Sequence, residues 1–343
     1  MSKILVTGGT GYIGSHTVVE LQNQGYEVLI ADNLMNSDIK VLDGIENITG
    51  KKPVFEKIDL RQKPKVHQLF EKYDDISAII HFAAFKAVGE SVEKPLMYYE
   101  NNLISLINLL ETAQKNKNCN QFVFSSSCTV YGQPDKLPVT EQAPVKKAES
   151  PYGNTKQISE DILTDFIKAN KNFNAISLRY FNPIGAHEST EIGELPVGIP
   201  NNLVPFITQT AIGKRKQLKV FGNDFDTPDV FGIRDYIHVV DLAKAHVKAL
   251  DRLEKKENKE NFEIFNLGTG KGSSVMEVIK AFEKVSRQKL NYKITGRRSG
   301  DIDKVWADTS LANKELHWKT EKSLEEGLSS AWKWEKRIAE NKN

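Results

Sequence analysis

The opening stretch constrains this chain most: Lys3-Ile4-Leu5-Val6-Thr7 runs directly into Gly8-Gly9-Thr10-Gly11-Tyr12-Ile13-Gly14. The first five residues form the short β-prone apolar run of a strand buried on both faces. After the glycines comes an amphipathic stretch from Tyr12 to Gln24. Strand, glycine-rich turn and helix in that order predict a dinucleotide-binding turn. The glycines let backbone N–H groups and the helix N-terminus approach a pyrophosphate, whereas elsewhere they would mark only a tight turn. The next strand, Tyr26 to Ala31, ends at Asp32, eighteen residues after Gly14. A carboxylate there accepts hydrogen bonds from an adenosine ribose diol and repels a 2′-phosphate, and no arginine follows closely, so NAD is expected over NADP.

Further strands are expected at Val54–Ile58, Ser77–Phe82 and Gln121–Phe124, with a helical pattern from Pro95 to Lys115 carrying Leu103, Leu106, Ile107 and Leu110 on its apolar stripe. Strand alternating with helix five times predicts an α/β chain with a Rossmann-like, doubly wound parallel sheet. After Asn182 the rhythm loosens at Pro183, Pro196, Pro200, Pro205 and Pro228. A smaller C-terminal α/β substrate domain is expected there, dividing the chain into 1–180 and 181–343, with some segments after 230 packing back on the first domain. The Lys- and Glu-rich run Arg252–Asn261 reads as a solvated loop. From Glu321 onward a terminal amphipathic helix is expected, anchored by Leu328 and Trp332.

Composition narrows the function. Lys plus Arg number 47 against 45 Asp plus Glu in 343 residues, a near balance that argues against a dedicated nucleic-acid binder. Two cysteines, Cys119 and Cys128, exclude a disulfide framework, and the seven histidines form no ligand cluster, so no metal site is expected. A strand beginning at Lys3 leaves no room for a signal peptide, and no apolar run nears the ~20 residues that span a bilayer. The expectation is a cytoplasmic protein without a membrane partner.

In Ser150-Pro151-Tyr152-Gly153-Asn154-Thr155-Lys156, Pro151 suits the first turn of a helix behind a Ser150 cap. Tyr152 and Lys156 then share one face, a turn apart. An ammonium beside a phenol favours the phenolate, lowering a pKa otherwise about 10, so Tyr152 is expected to exchange a proton with a substrate hydroxyl near neutral pH. One such pair among ten tyrosines is about what chance supplies; its position gives it weight. Ligands of doubly wound sheets lie outside the carboxyl ends of the strands. Lys86, the run Ser125-Ser126-Ser127 and the helix opening at Tyr152 all fall there. Ser127 is placed to hydrogen-bond the hydroxyl that Tyr152 deprotonates; the blander alternative is that the serines only cap the strand exit.

The motifs TGGTGYIGSHT (7–17), DNLMNS (32–37), HFAAFKAVGES (81–91), KPLMYYENN (94–102), FSSSCTVYG (124–132), SPYGNTK (150–156), RYFNPIGAH (179–187), IPNNLVPFI (199–207), GIRDYIHVVDLA (232–243) and FNLGTG (265–270) follow one another along the chain. In their order and spacing the chain resembles the extended short-chain dehydrogenase/reductases, and among them the UDP-glucose 4-epimerase family, essentially end to end. The resemblance implies reversible epimerisation at C4 of a UDP-hexose, UDP-galactose to UDP-glucose, through a 4-keto intermediate with NAD. It makes Tyr152 the catalytic base, Lys156 the residue that holds the nicotinamide ribose and tunes that base, and Ser127 the contact to the sugar 4-hydroxyl. NAD contacts are implied for Gly8, Gly11, Tyr12, Ile13 and Gly14, with Asp32 and Asn33 on the adenosine ribose. Asn36, Ser37, Asp59, Leu60, Phe82, Ala83, Lys86, Asn101, Ser125 and Tyr180 are further cofactor contacts, Asp59 and Leu60 at the adenine. The UDP-sugar pocket takes Lys86, Ser127, Tyr152, Phe181, Asn182, Asn202, Leu203, Lys219, Val220, Phe221, Arg234, Tyr236, Arg298, Asp301 and Val305. Within it Phe221 packs on uracil, Asn182 meets the diphosphate, and Asp301 meets the uridine ribose. Arg234 and Arg298, the latter in RRSGD (297–301), suit a diphosphate because a guanidinium is planar and bidentate. A homodimer through the helices Pro95–Lys115 and Tyr152–Ala169 is also implied.

The family usually reads Ala-Gly-Leu-Lys where this chain has Ala83-Ala84-Phe85-Lys86, which bears on cofactor packing. The nearest rival, a nucleotide-sugar 4,6-dehydratase, carries an Asp-Glu pair just before Val-Tyr-Gly; here Cys128 and Thr129 stand there. A second rival, a redox-sensing regulatory protein on the same fold, usually loses the Tyr/Lys pair that this chain keeps. The residue before Trp306 lines the sugar pocket by resemblance, and Val305 is smaller than the aromatic that limits N-acetylhexosamines, so some activity on UDP-N-acetylhexosamines is expected.

Overall fold

The computed structural model describes residues 3–298 and 301–340, so Ser299 and Gly300 of the RRSGD motif lie outside the described residues. The first half alternates as the sequence predicts: β1 (Lys3–Thr7), α1 (Tyr12–Asn23), β2 (Glu27–Asp32), α2 (Val41–Thr49), β3 (Val54–Lys57), α3 (Lys63–Lys72), β4 (Ile76–His81), α4 (Val88–Glu93), α5 (Pro95–Lys115), β5 (Gln121–Ser125), α6 (Pro151–Ala169) and β6 (Asn174–Tyr180). A short 3₁₀ turn, Cys128–Tyr131, follows β5. The second half contributes β7 (Asn182–Ile184), α7 (Leu203–Ala211), β8 (Leu218–Phe221), β9 (Ile233–Arg234), β10 (Tyr236–His238), α8 (Val239–Glu254), β11 (Phe262–Leu267), β12 (Ser273–Ser274), α9 (Val275–Ser286), β13 (Tyr292–Thr295), β14 (Lys304–Val305), α10 (Ser310–Glu315) and α11 (Leu324–Glu340).

Seven strands form one sheet in the order β11-β6-β5-β4-β1-β2-β3, every pairing parallel. Strand alternation divides its side chains between two apolar layers. Ile4, Val6, Ile30, Ile80, Val123 and Leu178 face the layer that holds Val18 and Leu21 of α1 and Leu242 and Leu250 of α8. Leu5, Leu29, Ile79, Phe122 and Phe124 face the layer of Leu106, Leu109 and Leu110 of α5 and Leu163 and Ile167 of α6. Both faces are covered, which is why these strands read as continuous apolar runs. The order reverses between β1 and β4, so the crevice outside their carboxyl ends is the natural ligand position.

Beyond Tyr180 the chain leaves this sheet and builds small ones, β10-β7, β12-β9-β14 and β13-β8. Ile184, Val204, Ile207, Val220, Phe282 and Leu328 form their core. The terminal helix is anchored as its sequence predicts: Leu328 is fully buried, and Trp332 packs edge-on against Phe282 with ring centroids 5.7 Å apart. The run read as a solvated loop needs correction. Arg252 belongs to α8 and is buried, with its guanidinium on the Glu263 and Glu315 carboxylates. Its charge-rich neighbours conceal that role in the sequence. Among the described residues no helix is long and apolar enough to cross a membrane, and no group of His, Cys, Asp and Glu is arranged to hold a metal ion.

Candidate active site

The glycine turn after β1 is compact because nothing larger fits. Gly8 sits at φ 71°, in the left-handed region that favours glycine, and a Cβ on it would lie 2.7 Å from the Ala83 nitrogen. A Cβ on Gly14 would lie 2.3 Å from the Gly8 carbonyl oxygen. Gly11 caps α1 in extended backbone with no side-chain bond, leaving the first N–H groups of the helix for an anion. At the end of β2 the Asp32 carboxylate accepts from the backbone N–H of Leu34 at 2.9 Å and of Thr10 at 3.3 Å, which ties it to the turn. Thr10, which sequence reading missed, also bonds Ser37 through its hydroxyl at 2.7 Å. Asn33 accepts from the Met35 N–H, and Asn36 is exposed on the same loop. A cradle this tight, ending on a carboxylate, fits an extended dinucleotide diphosphate with its ribose at Asp32.

The remaining predicted cofactor residues lie at the neighbouring strand ends and on α1 and α5. Asp59 is held by Arg61, whose guanidinium keeps the carboxyl below its usual range, and Leu60 is buried beside it. The Phe82 ring lies tilted against His246, centroids 4.6 Å apart, and Ala83 packs on the α5 side of the sheet. Asn101 donates to the Asn102 side chain, which in turn bonds both the N–H and the C=O of Phe85 and reaches Thr155 on α6. Tyr12 donates to the Gly185 carbonyl at 2.7 Å, and Ile13 packs against the core. Ser125 and Tyr180 share a short hydroxyl–hydroxyl bond, and burial pushes the Tyr180 phenol up to about 12.

Helix α6 begins as its sequence predicts, with Pro151 in the first turn and the Ser150 hydroxyl accepting from the Gly153 N–H at 3.1 Å. Lys156 donates to the Ser125 carbonyl at 2.7 Å and lies 5.9 Å from the centre of the Tyr152 ring. Tyr152 packs with Phe85 and Tyr98. Ser127 accepts from the Thr129 N–H at 3.2 Å, and its hydroxyl, beside the Tyr152 phenol, favours ionisation. The expected lowering of the Tyr152 pKa is corrected here. Burial dominates and drives the phenol well above its usual value, while the same burial pushes Lys156 down to about 8. Spacing along a helix reveals the ammonium, but desolvation depends on the rings packed around Tyr152.

The predicted sugar-pocket residues fall into two groups. Arg234 on β9 lies beside Val305 on β14 in the parallel register, and Val305 is buried with Phe181, Val130 and Tyr131 behind Ser127. Arg234 donates to the carbonyls of Ile233 at 2.8 Å and Ile302 at 2.7 Å. Asn182 pairs with Tyr236, which is buried. In the second group Arg298 lies over the Phe221 ring at 5.0 Å and forks onto Asp301 at 3.0 and 3.1 Å. On β8, Lys219 is exposed while the Val220 side chain enters the core, so Val220 offers a ligand its backbone only. Apart from both groups, Glu194, also missed, accepts from Asn202 at 2.6 Å and pairs with Lys86 at 3.3 Å, while Leu203 is half-buried beside Asn202. No local motif marks Glu194; only the fold brings it to Lys86.

Comparison with known proteins agrees in extent and kind. The family model described as GDP-mannose 4,6 dehydratase matches residues 5–331. A UDP-glucose 4-epimerase of Haemophilus influenzae is 52% identical over 333 residues, 97% of each chain. The UDP-glucose 4-epimerase from Bifidobacterium longum, solved with NAD+ and UDP, superposes with a TM-score of 0.95 at 46% identity, covering 98% of this chain and 99% of that one. The enzyme from Stenotrophomonas maltophila, solved with NAD and a formylated UDP-arabinopyranose, gives 0.94 at 45% identity over 99% and 100% of the two chains.

Proposed function

Because the chain belongs to the UDP-glucose 4-epimerase family of extended short-chain dehydrogenase/reductases, we propose that it interconverts UDP-galactose and UDP-glucose through a 4-keto sugar, as a step of galactose metabolism. The enzyme is an isomerase with NAD as its cofactor. The reading rests on one juxtaposition: Tyr152, Lys156 and Ser127 meet at the strand ends beside the glycine cradle. Gly8, Gly11, Gly14 and Asp32 would hold NAD, which would supply hydride chemistry at C4 and a positive charge favouring the Tyr152 phenolate. Tyr152 removes the proton of the 4-hydroxyl and later returns it, with Ser127 holding that oxygen. Lys156, fixed on the Ser125 carbonyl, orients the ribose and keeps a positive charge beside the phenol. Residues 1–180 hold the dinucleotide and 181–343 the UDP-sugar. Arg234 and Arg298 meet the diphosphate, Asn182 lies beside it, and Phe221 stacks on the uracil. Cys128 and Thr129 stand where a dehydratase carries acidic groups, and burial pushes the Cys128 thiol up to about 12, unsuited to proton traffic at C5.

Val305 gives the pocket its breadth: a small side chain backed by Phe181 leaves room for an N-acetyl group. Incubating the purified protein with UDP-galactose and, separately, UDP-N-acetylgalactosamine, then separating the epimers, is expected to show both converted. Loss of the second conversion alone refutes the breadth; no conversion of UDP-galactose refutes the function.

The protein forms a homodimer in this reading. Leu96, Ile104 and Ile107 on α5, with Val88 and Val92 on α4, are exposed on one side of the fold, Leu96 at 80%. Sedimentation is expected to give twice the chain mass, and Ile104→Glu with Ile107→Glu to give the monomer. A monomeric wild type overturns the assignment.

A further inference from the structure

One charged pair lies wholly inside the protein, beneath the proton-handling site. Glu160 and Arg179 are 6% and 4% exposed. Glu160 stands one turn beyond Lys156 on α6, which continues the four-residue spacing of Tyr152 and Lys156. Its carboxylate accepts from the Ser126 hydroxyl at 2.7 Å, the Ser177 hydroxyl at 2.8 Å and the Arg179 Nε at 3.0 Å. The Arg179 guanidinium also lies over the Tyr131 ring at 4.8 Å. These partners alternate with site residues. Ser126 separates Ser125, which holds Lys156, from Ser127, and Arg179 precedes Tyr180. Tyr131 closes the turn that Ser127 opens.

We propose that Glu160 is a positioning residue: with Arg179 it locks the Ser125–Ser127 exit and β6 against α6, and it supplies the buried counter-charge for the Lys156 ammonium. Among the described residues, Glu160 is the charged group acting on that ammonium. His81 on β4 is held neutral by burial, at about 3, and Phe124 on β5 offers only its ring face, at 4.8 Å. Burial raises both Tyr180 on β6 and Tyr152 on α6, which disfavours either phenol as a standing negative charge beside Lys156. Arg179 carries the same sign as Lys156. Burial favours neutral Lys156, and the Glu160 carboxylate opposes it. A lone buried carboxylate would itself be unstable, and Arg179 makes it tolerable.

This inference rests on the proposed epimerisation only for its kinetic arm. The direct arm follows Lys156 in the holoenzyme with ¹³C-labelled lysine, its resonance assigned by its loss in Lys156→Met. In Glu160→Gln, which keeps an acceptor for Ser126 and Ser177, the Lys156 midpoint is expected to fall by about one unit, a tenfold change in its proton equilibrium. The alkaline limb of the UDP-galactose rate profile should move down with it. Glu160→Gln leaves Arg179 buried and unpaired, so Glu160→Gln with Arg179→Met is measured beside it; the pair removes both charges, and because loss of the Arg179 charge favours the ammonium, the fall should be smaller but in the same direction. An unmoved Lys156 midpoint in the double variant would show a purely structural pair and overturn the proposal. If wild type fails to turn over UDP-galactose while its Lys156 midpoint still responds to Glu160, the function falls and the counter-charge stands.

Discussion

Tyr152→Phe is expected to lower UDP-galactose epimerisation by about a thousandfold while the protein still carries NAD, because a positioned general acid–base contributes roughly 10²–10⁴ in rate. The substitution removes one oxygen and keeps the ring that packs with Phe85 and Tyr98, so the fold and the cofactor cradle should be unchanged. Initial rates give the loss, and cofactor released from the purified variant by acid gives the retention. Turnover near wild type would remove Tyr152 from the proton transfer. The magnitude follows from the burial of the phenol. A tyrosine driven above its usual value by desolvation is a poor base alone, so its ionisation depends on neighbouring positive charge and on Ser127.

Gly14→Ala should abolish stable retention of NAD. The added Cβ would sit 2.3 Å from the Gly8 carbonyl oxygen and 2.9 Å from the Gly9 Cα, both backbone atoms with no rotamer to yield. Either the turn opens or α1 shifts, and overpacking of this kind costs about 1–3 kcal/mol. A turn that opens also moves the N–H groups meant for the pyrophosphate, so affinity should fall by at least about tenfold. Titration of the NAD-stripped protein measures this, and unaltered affinity would show that the close packing at Gly14 is incidental. Titrating the wild type with NADP in the same series should give weaker binding than NAD, because a carboxylate at the end of β2 repels a 2′-phosphate; tighter NADP binding would contradict the role proposed for Asp32.

What the sequence makes legible, and what it hides, divides by the range of the forces involved. The glycine turn is legible because close backbone approach is a local demand that only glycine meets. Strands β1, β2, β4 and β5 are legible because parallel strands buried on both faces are continuous apolar runs bounded by turns. Strand β11 does not announce itself, since its partner β6 lies more than eighty residues earlier and pairing at that distance leaves no local mark. The Tyr152–Lys156 pair is legible as spacing, but the direction of the Tyr152 shift is not, because Phe85 and Tyr98 reach it from other elements. Arg252 is misleading for the same reason: its neighbours are surface charges, while its own partners, Glu263 and Glu315, arrive from β11 and α10. Glu160 was in plain view, the third member of a four-residue series, and only the burial of Arg179 makes it more than a helix-surface acid.

The return of β11 to the edge of the main sheet also orders events during synthesis. A nascent chain that has reached Tyr180 has six of the seven strands, and β6 stands at the rim with its hydrogen-bonding edge bare. Eighty-seven further residues must leave the ribosome before Phe262–Leu267 can close that rim. Until then the half that carries the whole glycine cradle is an open template for other strands. The interval before residue 267 emerges is therefore the one in which the β6 edge stays open, and any cut between 180 and 262 separates β6 from its partner β11.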